Sequence, residues 1–318
     1  MLELLVDNID GTVWDIGELV TDVSWKTSRI GKPGSFTFSY VKDADFKINS
    51  GDVVRVRDKG YKVFYGYVFS CSQSRDDEIS VTCYDQLRYL NANDTVVLKN
   101  TTATQVLRKI AADFELKTGP LIDTLYKIPA LVESDKKLFD IVCKALDLTL
   151  INTGKLYFLY DDFGQLMIQD TQNMLLDIIV GDESLAYDFK YKRSIDEDTY
   201  VKVKIVQDNK KSGHRDLYIV QDSATRAQWG QLQLYRVAEE NMNSAQIKQQ
   251  LNQLLELKNR ESKSLQIDAL GDIRVRAGCY VHIILEELGL KQPFLVDECT
   301  HKNIGSPDHT MSLDLKVV

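Results

Sequence analysis

The chain has four histidines, His214, His282, His301 and His309. Imidazole is the side chain best suited to proton transfer or metal ligation near neutral pH. His301 and His309 stand eight residues apart, on either side of Asn303-Ile304-Gly305-Ser306-Pro307-Asp308. That segment reads as a hairpin turn, so the two rings can face each other across a strand pair. With Cys299 or Asp308 they form a weak candidate zinc site. Spacing across a turn does not fix which face of the sheet each ring takes, and polar residues at a strand edge are the plainer reading. His282 lies within an apolar strand pattern, which favours a structural role. Carboxylates cluster at Asp76-Asp77-Glu78, Asp161-Asp162, Asp182-Glu183 and Asp196-Glu197-Asp198. A glycosidase needs two carboxyl groups about 5 to 10 Å apart across one sugar. These clusters fall at expected turns, where acids solvate loops and suit tight backbone geometry. No phosphate-binding glycine loop, dinucleotide fingerprint, nucleophile elbow or His-Glu-x-x-His motif occurs. No catalytic residue, resident metal or cofactor is expected, and a binding or assembly role is favoured over catalysis.

The elements that must position these groups occupy 318 residues, more than one hydrophobic core usually serves. Hydrophobic residues make up 44% and charged residues 27%, as in an ordinary globular protein rather than a disordered one. A net charge of −8 argues against a general electrostatic footprint for nucleic acid, which needs a basic surface. The first residues lack the basic start and apolar core of a secretory leader. No apolar run approaches the ~18 residues that span a bilayer. Folding in the cytosol is therefore expected. The five cysteines, Cys71, Cys83, Cys143, Cys279 and Cys299, form no Cys-x-x-Cys pair and read as reduced thiols in apolar settings.

Residues 1 to about 97 carry strand patterns. Gly31-Lys32-Pro33-Gly34 breaks Val20–Ser28 from Ser35–Tyr40, and Lys59-Gly60 turns Val53–Asp58 into Tyr61–Phe69. Ile79, Val81 and Cys83 alternate with polar neighbours. The pattern changes near residue 100. Thr101 or Thr102 can cap a helix over Ala103–Phe114, and a second helix runs over about Lys136–Leu146. Leu156–Tyr160 and Gln165–Ile168 flank the turn Asp161-Asp162-Phe163-Gly164. Strand patterns then return, interrupted by a helix from Ser244 to about Arg260. No convincing sequence repeat is visible, although two β blocks flanking an α/β unit suggest a weak structural one. The expected fold is α+β and β-rich. Residues 1–97 form a first β-barrel domain, completed by 172–196, and 98–171 a small mixed α/β domain. Residues 197–212 and 262–318 form a second β-barrel domain, with a helical insertion over 213–261.

One stretch is more distinctive than its physics. Val81-Thr82-Cys83-Tyr84-Asp85-Gln86-Leu87-Arg88-Tyr89-Leu90 runs from a strand into a short helical turn. It resembles the signature of the XkdQ/YqbQ family of defective-prophage and phage tail proteins. Further similar segments follow in order: Thr102–Leu107, Ser194–Val203, Trp229-Gly230-Gln231-Leu232-Gln233, Leu270-Gly271-Asp272, Arg276-Ala277-Gly278 and His309–Leu313. Together they cover nearly the whole chain. Val201 departs from the pattern, which has asparagine there, and this puts a local turn contact in doubt.

The resemblance implies a hub of contractile tails, related to late-control-D and spike-adaptor proteins. It implies a homotrimer whose subunits each supply two similar β-barrels. The resulting ring would join a six-fold tail tube to a three-fold central spike, beside other baseplate proteins. Tyr84, Asp85, Gln86, Leu87, Arg88, Tyr89, Trp229 and Gly230 are then structural positions. Membrane and sequence-specific nucleic acid are not expected partners. The competing reading is a tail-associated cell-wall-binding or hydrolytic protein acting through residues 98–171.

Overall fold

The computed structural model describes residues 2–43, 46–75, 77–209, 214–238 and 242–316. The chain begins with β1 (Leu2–Asp7), β2 (Val13–Asp15), β3 (Val20–Ser28), β4 (Ser35–Val41), β5 (Val53–Asp58), β6 (Tyr61–Gln73) and β7 (Glu78–Tyr84). A 3-10 turn, Gln86–Asn91, leads to β8 (Asn93–Thr101), α1 (Ala103–Asp113), β9 (Ile128–Lys137), α2 (Leu138–Thr153), β10 (Tyr157–Asp161) and β11 (Leu166–Asp170). Then come β12 (Leu175–Gly181), β13 (Ala186–Ser194), β14 (Lys202–Asn209), β15 (His214–Gln221), α3 (Ser223–Trp229), β16 (Gln233–Val237) and α4 (Ser244–Lys258). The described chain ends with β17 (Ser262–Leu270), β18 (Tyr280–Leu285), β19 (Leu290–Lys302) and β20 (Thr310–Lys316). The fold is β-rich. No helix among the described residues is long and apolar enough to cross a membrane.

Among the described residues, thirteen strands share one sheet, ordered β13-β17-β20-β19-β3-β4-β7-β6-β5-β1-β2; β18 pairs with the first part of β19 on the side opposite β20, with β12 beyond it. Its two halves repeat each other strand by strand. In the first, β1, β5, β6, β7, β4 and β3 are successive neighbours; in the second, β12, β18, β19, β20, β17 and β13 are. The long strands β6 and β19 have 13 residues each. Tyr67 pairs with both Val53 and Tyr84, and Leu295 with both Tyr280 and Lys316. One residue further on, each half has the same backbone lock. The Gly51 amide donates to Val68 and Val68 donates to Asp52; the Gly278 amide donates to Val296 and Val296 donates to Cys279. Both glycines have positive φ, +99° and +89°, which L side chains rarely adopt. A bulge follows in each, between Val68 and Ser70 and between Val296 and Glu298. The halves differ in one pairing, since β12 runs parallel to β18 whereas β1 is antiparallel to β5.

The duplication is invisible in residue identity because the repeat lies in hydrogen-bond geometry, which many side chains satisfy. Each half has its own core. Leu4, Trp25, Phe36, Phe38, Val54 and Phe64 fill the first, and Leu265, Ile267, Val281, Phe294, Val296 and Leu313 the second. The halves join where Glu298–Lys302 of β19 pairs with Ser28–Ser24 of β3.

Three boundaries differ from the sequence reading. Residues 172–196 do not complete the first half, because β12 pairs with β18 and β13 with β17. The strand β8 starts at Asn93 and pairs with β9, so 93–97 belong with the α/β unit. Finally, 197–212 do not join the second half. β14 lies between β15 and β16 in a separate three-stranded sheet, and Val203 and Ile205 pack on Ile247, Leu251 and Leu254 of α4. Alternation shows that β14 has one buried face, but not which core that face meets. The 213–261 insertion therefore holds two strands besides its helices. Its main helix starts with a capping box between Asn243 and Gln246. Val201 is fully buried, and its backbone bonds to Leu232 and Asp222, so the turn contact is made by main chain rather than by a polar side chain.

Candidate functional site

The Tyr84–Tyr89 motif sits where the two sheet halves and the α/β unit meet. Asp85, 6% exposed, follows β7 and caps the 3-10 turn. One carboxylate oxygen accepts from the Leu87 amide at 3.1 Å and the other from the Gly34 amide at 2.9 Å. A Cβ on Gly34 would stand 2.5 Å from Asp85 Oδ2, so the β3–β4 turn needs glycine there. The Gln86 side chain donates to the Lys117 carbonyl at 3.0 Å and accepts from the Lys117 amide at 3.1 Å. Leu87 and Leu90 enter the α/β core beside Leu107, Phe139 and Val142. The motif thus caps, pins and plugs in three successive residues.

Across from it, the Arg276 guanidinium donates to the Asp161 carbonyl at 2.8 Å. It lies 4.4 Å from the Tyr160 ring centroid and 5.8 Å from that of Trp25. Asp161 belongs to the β10–β11 turn, and its Oδ1 accepts from the Gly164 amide at 2.7 Å. It was expected to be a solvated loop acid; it is buried instead, because that turn is pressed against the sheet. A Cβ on Gly164 would meet the Tyr65 ring at 2.7 Å, and one on Gly278 the Phe158 ring at 2.1 Å. Burial pushes the Asp161 carboxyl up to about 6, opposed by the Gly164 amide and the Arg276 charge. Burial also drives the Asp85 carboxyl well above its usual range, reinforced by Asp161 and opposed by the Gly34 amide. The Arg276 charge thus favours the ionised form of both buried acids, but burial outweighs it.

The outward residues of the motif enter an aromatic ladder. Phe163, Tyr65, Tyr67, Tyr89, Phe69 and Tyr84 follow one another with ring centroids 5.4 to 6.2 Å apart. Arg57 and Lys62 lie over Phe163, and Arg88 over Phe69.

His301 and His309 are brought together as their spacing suggested, with His301 Nδ1 3.0 Å from His309 Nε2. His301 is fully buried, stacked on Trp25 at 5.4 Å, with Nε2 2.8 Å from the Val275 carbonyl. That carbonyl can only accept, so Nε2 carries the proton and Nδ1 accepts from His309. Both nitrogens of His301 are thus engaged within the protein. Among the described residues, no three His, Cys, Asp or Glu side chains group as a metal site. Burial holds His301 down to about 4, and lowers His309 as well. Trp229 and Gly230 lie elsewhere, closing α3 in the insertion, with Gly230 at φ +84°. Of the other acids, Asp77, Asp182, Glu183, Asp196, Glu197 and Asp198 are exposed, as turn acids should be; Asp76 lies outside the described residues.

Sequence reasoning missed Gly34, Lys117, Asp161 and Trp25 as parts of this junction. Arg276 belongs to the Arg276-Ala277-Gly278 motif, but its position two before a glycine carries no sign of its partners.

The family model described as YQBQ-like matches residues 23–316. YqbQ of Bacillus subtilis (strain 168) is 31% identical over 99% of this chain and 96% of its own. The phage-like element PBSX protein XkdQ of the same organism is 32% identical, covering 99% of this chain and 97% of its own. Among solved structures, the prophage MuSo2 43 kDa tail protein from Shewanella oneidensis has a similar fold. Its TM-score is 0.74 at 16% identity, over 99% of this chain and 98% of that one. A tail protein from Neisseria meningitidis MC58 gives 0.72 at 15% identity, over 99% and 96%.

Proposed function

The chain belongs to the YqbQ-like family, with a fold shared by phage tail proteins, and from that premise we propose that it is the structural hub of a contractile phage tail or tail-like particle. In this reading three copies form a ring whose six β units, each a barrel, match a six-fold tail tube above. The three-fold symmetry of the chains matches a central spike below. Other baseplate proteins would meet the outside. Assembly would take place in the bacterial cytoplasm before the particle is complete.

The observation that carries the proposal is the duplication within one sheet. Two equivalent halves per chain are what a three-fold assembly needs to present six like units. The buried groups support a structural rather than catalytic role. Asp85 is spent on the Gly34 amide, Asp161 on the Gly164 amide of its own turn, and Arg276 on the Asp161 carbonyl, which ties the second sheet half to the α/β unit. The ladder of tyrosines and arginine has the composition of a protein interface rather than of a reaction site.

Light scattering on the purified chain, followed by microscopy of the same peak, tests the proposal. Three times the chain mass and rings with six lobes are expected. A monomer that persists at tens of micromolar with tube and spike proteins present would overturn it.

A further inference from the structure

The two halves make the same strand with different neighbours. In β19, Glu298–Lys302 has β20 on one side and β3 on the other. The matching stretch of β6, Ser70–Gln73, pairs with β7 on one side; on the other, no strand pairs among the described residues. Cys71 and Cys299 make the same inward contact, Sγ to a backbone carbonyl, at 4.0 Å from Ile48 and 3.6 Å from Val275. Yet Cys299 is 0% exposed, whereas Cys71 is exposed. His301 is buried under Trp25, whereas Gln73 in the matching place is exposed.

The converse holds at the other end of the sheet. Following the pairings outward, Trp25 faces Phe36 in the first half, and Tyr191 faces Leu265 in the second. Lys26 then matches Lys192, Thr27 matches Arg193, and Ser28 matches Ser194. In β3 this stretch is covered by β19. In β13 it forms an outer edge, since among the described residues β13 pairs only with β17. Thr27 is 6% exposed, while the Arg193 side chain is 62% exposed. A long unpaired edge is a template for another strand, and it is normally covered or blunted.

We infer that β6 of one copy pairs with β13 of the next, antiparallel, repeating the β19–β3 junction between chains. This rests on the hub reading above and names the surface that builds its ring. The register follows from the internal junction, where Glu298 faces Ser28, Cys299 faces Thr27, Thr300 faces Lys26 and His301 faces Trp25. Between copies, Ser70 meets Ser194, Cys71 meets Arg193, Ser72 meets Lys192 and Gln73 meets Tyr191. The contact is head to tail, so the two surfaces differ and the ring closes when the rotations add to a full turn. Charge agrees with the match. The β13 edge carries Lys190, Lys192 and Arg193, the last two paired at the surface with Glu197 and Glu261, and the β6–β7 end carries Arg75 and Asp77 in the turn and Glu78 at the start of β7.

The register places the native Cys71 thiol opposite residue 193. Directly opposed residues of antiparallel strands have Cα atoms about 4.5–5.5 Å apart, within disulfide range. The test is full-length Arg193→Cys under mild oxidation, with mass measured by light scattering before a non-reducing gel. Arg193 makes a surface ion pair with Glu261, whose loss costs little. Covalent dimers and trimers that vanish with reductant, and with added Cys71→Ser, are expected. A three-chain mass without cross-linking, also in a Gln73→Cys/Tyr191→Cys pair on the Cys71→Ser background, overturns the strand pairing and leaves the hub reading standing. A single-chain mass under every condition overturns the hub reading itself.

Discussion

The two halves of the large sheet share a glycine lock, a bulge and a strand order, but one has its outer edge sealed and the other does not. At the sealed edge, Glu298 bonds to Lys26 and Lys32 at 2.8 Å each. Those two ammonium groups overcome the penalty of partial burial and bring its carboxyl down to about 2. Asp297 is held between Arg29 and Lys316. At the open edge the equivalent positions are Phe69 and Ser70, uncharged. A salt-bridged junction suits a contact made once within a chain. At a junction that forms only on assembly, the uncharged β6 edge brings no charge of its own to be desolvated, while Lys192 and Arg193 of β13 keep acidic partners within their own chain. At Cys71 and Cys299, the same residue with the same inward contact, exposure reflects which neighbour is present.

The largest effect is expected at the junction common to both halves. Asp85→Ala leaves the Gly34 and Leu87 amides buried without an acceptor. A loss of about 3–5 kcal/mol in chemical denaturation is expected, since each orphaned group costs about 1–3 kcal/mol. A loss under 1 kcal/mol would show that the motif does not hold the modules together. Next comes a matched pair. Trp25→Ala, at the sealed edge, should cost about 3–5 kcal/mol in the isolated chain. Tyr191→Ala, at the equivalent open position where the ring packs on the second core from one side only, should cost less there, about 1–2 kcal/mol, yet reduce assembly at least tenfold. Equal destabilisation by both would break the comparison.

The third effect is a pH dependence. His301 has a folded value near 4 against 6.5 in the free side chain, so the unfolded state binds the proton more readily between those values. Its contribution is complete above pH 6.5 and is lost as pH falls through about 4, amounting to roughly 3 kcal/mol. Asp161, with its raised value near 6, acts in the opposite sense, favouring the folded state as pH falls over much of that range. The difference between wild type and His301→Gln isolates the histidine. It should shrink steadily from pH 7 to pH 4, and a flat difference would contradict the burial of a neutral ring. Smallest of all, Arg88→Ala should cost about 0.5–1 kcal/mol through its loss over Phe69. An effect above 2 kcal/mol would mean that the ladder belongs to the core.

Much of the local structure was legible in the sequence. The Gly31–Gly34 breaker, the Lys59-Gly60 turn and the Asp161–Gly164 hairpin all fell where strands end. The Thr102 cap starts α1, with a capping box to Gln105. Strand partners were harder to read. Val203 and Ile205 alternate as any half-buried strand does, and nothing in them distinguishes α4 from a second sheet half as the cover. The α2 helix runs to Thr153, past the expected Leu146, because Leu148, Thr149 and Ile151 remain buried although Asp147, Asn152 and Thr153 interrupt the apolar pattern. The histidine pair was found by spacing, but its chemistry was decided by the Val275 carbonyl, which no side-chain pattern announces. Asp161 was misread because an acid in a turn looks solvated until the surface packed over it is known.

Hydrogen exchange across β6 in free and assembled protein tests the equivalence of the two edges most directly. In the free chain, amides of Ser70–Gln73 that point away from β7 should exchange rapidly, while Glu298–Lys302 stays protected between two strands. On assembly, protection of Ser70–Gln73 and of Tyr191–Ser194 should rise together to the level of the internal junction. Fast exchange persisting at both edges in the assembled ring would contradict the account.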